Sequence, residues 1–112
     1  MLTEKDYCDY DTCVALMEIG YPPYAFRDKQ WNEHFANISL YEAQKFLREE
    51  KKIEVNATYD NMVELHWHWY MKSLANRNQD ISIINHDSYE QALLAGIKEA
   101  VKILKENETI HE

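Results

Sequence analysis

Glycine and proline are scarce in this chain of 112 residues: Gly20, Gly96 and the adjacent pair Pro22 and Pro23 are all there are. So few glycines leave no glycine-rich strand-to-helix loop to cradle phosphates, and no serine elbow is present. Cysteine is equally sparse. Cys8 and Cys13 lie five residues apart beside the first predicted helix, with no nearby histidine to complete a zinc-type spacing, so Cys13 reads as a buried, reduced thiol. No apolar run approaches the roughly 20 residues a membrane span needs. Met1 to Asp6 also lacks the basic and then apolar profile of a signal peptide, so the expectation is a cytoplasmic protein with no membrane partner. Basic residues are outnumbered, 12 Lys and Arg against 20 Asp and Glu, and the formal charge of -8 opposes binding to a phosphate backbone. Nucleic acid is not an expected partner.

Hydrophobic residues make up 46% of the chain and charged residues 29%, the balance of a folding sequence rather than a disordered one. The length suits one domain, residues 1–112, with a C-terminal tail expected to fray from 107 to 112. A first helix is predicted to begin near Asp9 or Asp11, either able to cap free N–H groups, and to stop at Gly20. Tyr10, Cys13, Val14 and Met17 fall at i, i+3, i+4 and i+7 and form its expected apolar stripe. Ser39 and Glu42 have the spacing of a capping box and open a second helix, from Leu40 to about Lys51, with Ala43, Phe46 and Leu47 inward. Ser88 with Gln91 repeats that spacing before a last helix, on which Leu93, Ile97, Ala100, Val101 and Leu104 make a continuous stripe.

Between the second and last helices the period changes from helical to alternating. Ile53, Val55, Ala57 and Tyr59 alternate with Glu54, Asn56, Thr58 and Asp60, which predicts a strand with one face buried. Asp60-Asn61 marks a turn, and from Val63 to Lys72 the alternation is the clearest in the chain. Asn76 to Asn78 is a second turn signal, and Ile81 to Ile84 supplies a third short strand. The predicted fold is α+β: a three-stranded antiparallel meander packed with three helices in the order α-α-β-β-β-α.

Two groups of residues have a pattern that points to function. From Tyr21 to Ile38 the periodicity fails, Pro22-Pro23 forbids helix and central strand alike, and Tyr24, Phe26, Trp31 and Phe35 are scattered among charges. A long connection that carries aromatics suits a binding loop, so these four are the candidate partner-binding anchors. On the second strand, His66 and His68 project from one face beside Glu64, three donors in a row that a metal could bridge. The competing account is that they form the solvated face of a half-buried sheet, which two histidines at this spacing do often. No catalytic residue and no cofactor is expected.

Three segments resemble a known family. Tyr10-Asp-Thr-Cys-Val-Ala-Leu-Met-Glu-Ile-Gly-Tyr21, Leu40-Tyr-Glu-Ala-Gln-Lys-Phe-Leu-Arg-Glu-Glu-Lys51 and Asp87-Ser-Tyr-Glu-Gln-Ala-Leu-Leu-Ala-Gly-Ile-Lys-Glu-Ala-Val-Lys102 look like small proteins encoded by phages and prophages of gut bacteria of the Bacteroides type, which carry no assigned activity. The resemblance covers the three helices, roughly half the chain in the same order. It implies a phage accessory protein in the host bacterial cell, of a class closer to inhibitors of host or defence proteins than to metabolic enzymes. With no catalytic motif and with the loop aromatics, the expectation is a non-enzymatic interaction module that engages a host protein, alone or as a homodimer. Two alternatives stand beside it: a small-ligand sponge for a nucleotide signal, and a metal-dependent enzyme at Glu64, His66 and His68.

Overall fold

The computed structural model describes residues 4–22, 38–60, 66–73, 79–81 and 86–110. A 3-10 turn, Glu4–Asp6, leads into helix α1, Tyr10–Glu18, and helix α2 spans Leu40–Glu50. Strands β1, Ile53–Asp60, β2, His66–Ser73, and the three-residue β3, Gln79–Ile81, follow, and helix α3, Tyr89–Ile110, is last. The result is an α+β fold built on an antiparallel sheet. The long ladder joins β1 to β2 over eight pairs, from Ile53 with Ser73 to Asp60 with His66. β3 pairs antiparallel with the other edge of β2, Tyr70 opposite Ile81. Of the third strand expected at Ile81 to Ile84, only Ile81 falls within β3, and 82–85 lie outside the described residues.

Local chemistry explains where the first two helices start and stop. Asp9 caps α1, its carboxylate accepting from the Thr12 N–H at 2.9 Å. At the other end the Tyr21 N–H reaches the Leu16 carbonyl (2.9 Å) and the Gly20 N–H reaches Met17 (3.1 Å), the paired bonds of a Schellman turn. That turn needs a left-handed residue, and Gly20 sits at φ 114. Ser39 opens α2 with both halves of its box: Ser39 Oγ accepts from the Glu42 N–H at 3.0 Å, and Glu42 Oε1 accepts from the Ser39 N–H at 3.2 Å. At α3 the box is displaced by one residue. Ser88 Oγ accepts from the Gln91 N–H (3.1 Å), but the Gln91 side chain takes the Asp87 N–H (3.3 Å) instead of that of Ser88.

The core forms where α2 and α3 pack against the sheet and α1 packs against α3. Leu16, Ile38, Leu40, Leu47, Val55, Leu93, Ile97 and Ala100 are fully buried, with Met71 and Val101 nearly so. α3 crosses the sheet at Gly96, close enough that a Cβ there would stand 2.8 Å from Val55 Cγ1 and 2.9 Å from Trp69 Cβ. α2 lies along the outer edge of β1, where the Gln44 side-chain amide donates to the Val55 carbonyl at 2.8 Å. The α1 stripe departs from expectation. Thr12, Cys13, Leu16 and Ile19 are the buried residues, while Tyr10 is 48% exposed. The capped start fixes the phase of the helix, so Cys13 and Leu16 turn inward and Tyr10, at the first helical position, is left facing solvent.

Candidate functional site

The expected loop anchors Tyr24, Phe26, Trp31 and Phe35 lie outside the described residues, as does Glu64. His66 stands on β2 opposite Asp60, and its side chain is outside the description. His68 is half-buried, opposite Thr58, with its Nδ1 shut off from solvent and without a hydrogen-bond partner. Among the described residues, no three His, Cys, Asp or Glu side chains come together as metal ligands.

What the described residues do assemble is an aromatic end to the sheet. Tyr59 and Trp67 are register partners across β1 and β2, and their rings meet edge to face with centroids 5.1 Å apart. Tyr89, the first residue of α3, closes on the other side of Trp67 at 5.5 Å and 86°. Its hydroxyl donates to Asn56 Oδ1 at 3.4 Å, which ties the start of α3 to β1. Trp67 is further held by two backbone bonds exchanged with His86, 3.1 and 2.9 Å long. The rings are therefore fixed from three directions while remaining accessible: Tyr59 is 48% exposed and Trp67 and Tyr89 are half-buried. Edge-to-face packing of this kind aligns the positive ring edge with a negative ring face, and it leaves other faces free for contact.

The aromatic end runs into an acidic margin. Tyr41, 40% exposed on α2, donates its hydroxyl to Asp6 Oδ1 at 3.1 Å, and Glu90 on α3 meets Lys5 at 3.7 Å. Burial first, and then Asp6, Glu90 and Tyr89, push the Tyr41 phenol above its usual range. Burial, Glu90 and Tyr70 do the same for Tyr89. Both phenols stay protonated and act as hydrogen-bond donors. His86 is shifted the other way, below its ordinary value, by burial and then by His68, against the opposing charge of Asp87. Its Nε2, like His68 Nδ1, has no partner.

A concavity lies between α1 and α3. Thr12, Ala15 and Val101 floor a groove of about 400 Å³, with Lys98, Lys102 and Lys105 along one wall. Two of these lysines bridge the helices, Lys98 to Asp9 at 2.6 Å and Lys105 to Glu18 at 3.1 Å. Carboxylates thus neutralise most of the positive wall.

Tyr59 and Tyr89 carried a sequence signal of a weak kind. Each sits at the end of its element, Tyr59 last but one in β1 and Tyr89 first in α3, where a core position and a rim position look alike. Comparison with protein-family models, with curated proteins and with solved structures finds no significant match to this chain.

Proposed function

We propose that this chain is a non-enzymatic protein-interaction module, a phage or prophage accessory protein of the kind its helices resemble, acting on a protein of the host or of its defences. The observation that carries this reading is the aromatic end of the sheet. Tyr59, Trp67 and Tyr89 form a preassembled, accessible cluster of the residue types that dominate binding hot spots, and their packing lowers the entropy cost of engaging a partner. The formal charge of -8 on the chain favours a partner with a basic surface. The loop with Tyr24, Phe26, Trp31 and Phe35 belongs to the same reading as a further source of anchors.

The test is site-specific photocross-linking in host lysate, with the reactive residue at Tyr59 or, as a control, at exposed Lys45 on α2. The expected result is one predominant cross-linked protein from position 59 that excess wild-type chain competes away. Tyr59→Ala competitor should be at least about 10-fold weaker, the loss of roughly 1.4 kcal/mol expected for a contributing anchor. Equal competition by the Tyr59→Ala chain would sink the proposal. A second reading, a binder of a small phosphate-bearing signal, is favoured by the groove that Lys98, Lys102 and Lys105 line. It ranks below the first because Lys98 and Lys105 already hold carboxylate partners.

A further inference from the structure

The residue before a helix cap and the fourth residue of the helix face each other, and two apolar side chains usually fill that position as a staple. In α1 the cap is Asp9, so the facing residues are Cys8 and Cys13. Backbone bonds hold both in place: the Cys8 N–H donates to the Ile38 carbonyl at 2.9 Å and the Cys13 N–H to the Asp9 carbonyl at 3.0 Å. Cys13 Sγ donates to the Cys8 carbonyl oxygen at 3.8 Å, which brings the Cys13 sulfur back over residue 8. Cys8 is 9% exposed, Cys13 is sealed, and both are free thiols.

We infer that Cys8 and Cys13 are a modification site for hydroperoxide oxidants, two thiols placed to close an intramolecular disulfide across the start of α1. The Cys13 thiol lies below its ordinary value, held there by its neighbours Cys8 and Ile38 against burial, while Cys13 and burial push the Cys8 thiol up, so Cys13 is the thiol that ionises first. The Cys13 thiolate attacks the peroxide O–O bond; an S–O bond forms, the O–O bond breaks and the alcohol or water leaves, giving a sulfenic acid. Cys8 sulfur then attacks Cys13 sulfur, and its proton leaves with the displaced hydroxyl as a second water. Two thiols are oxidised by two electrons and one peroxide is reduced. Access to Cys13 comes from local opening of the chain at the start of α1, the kind of sub-global fluctuation that exposes a buried group, and reclosing brings Cys8 back to resolve the sulfenic acid.

The experiment treats the folded full-length chain with hydrogen peroxide, blocks residual thiols in denaturant and measures the tryptic peptide that runs from Asp6 to Arg27 and carries both cysteines. The expected product is a loss of about 2 Da on that peptide, reversed by a dithiol reductant. Cys8→Ser should replace it with a sulfenic acid trapped by dimedone at Cys13, and Cys13→Ser should lose most of the dimedone adduct. Addition of oxygen to one or both cysteines without the 2 Da loss would overturn the inference, as would a disulfide that forms only in denatured chain. The wild-type measurement decides it even if neither variant folds.

Discussion

Gly96 joins the sheet to its longest helix through an atom it does not have. In the interior of an exposed helix, exchanging glycine for alanine gains about 1 kcal/mol of helix propensity. At Gly96 the added methyl would meet Val55 Cγ1 at 2.8 Å and Trp69 Cβ at 2.9 Å, and neither can move without shifting a buried strand. Overpacking of this kind costs about 1–3 kcal/mol, which exceeds the propensity gain. Gly96→Ala should therefore lower the urea midpoint, and a rise would mean that α3 rides higher over the sheet than described. His86 gives the residue scale its pH dependence. Burial and His68 hold its folded-state value below the ordinary 6.5, so the unfolded chain takes up the proton first as pH falls. The contribution of His86 is complete above 6.5 and is lost as pH drops through the lower folded value. Urea midpoints at about pH 7.5 and about pH 5 should converge in His86→Gln relative to wild type. An unchanged gap would place the acid sensitivity elsewhere.

At the scale of the element, capping chemistry separates what was legible from what was not. Asp9, Gly20, Ser39 and Glu42 act within one turn of their own position, and each marks a boundary that pattern alone predicts. The α2 box is complete and Ser39 is buried, so removing its hydroxyl takes the acceptor from the Glu42 N–H at a place water does not readily fill. Ser39→Ala should cost about 1 kcal/mol or more, read as a lower thermal midpoint. Ser39→Asp should recover part of it. The box at α3 shows the limit of such reading, because Gln91 turns to Asp87 through a choice between two neighbouring N–H groups that spacing cannot decide. Tyr10 shows another: a helical period marks it as apolar, yet the cap sets the rotation of α1 and leaves it exposed. Gly96 is the clearest case. Nothing in the order of residues along α3 says that the sheet passes under that glycine.

Over the whole molecule, the α+β class and the long β1–β2 ladder follow from alternation and from the breaks between elements. The aromatic end of the sheet does not, because Tyr59, Trp67 and Tyr89 come from three elements and meet only after the sheet forms and α3 folds back on it. The expected anchors Tyr24, Phe26, Trp31 and Phe35 carry the opposite signal, aromatics without periodicity, and lie outside the described residues. Loss of cross-linking from Tyr59 therefore speaks to the sheet end alone, while the loop anchors call for their own substitutions.

The Gln44 amide on the Val55 carbonyl, with α2 lying along β1, has a bearing on how copies of this chain can associate. A ladder recruits further strands through unpaired backbone groups, and on the β1 side a side chain already occupies one. The opposite margin of β2 is partly taken by the short β3 and, farther along, by the pair of Trp67 with His86. Among the described residues, strand addition thus meets an occupied carbonyl on the β1 side and a paired short strand on the other, an arrangement that shields the long ladder from edge-to-edge growth.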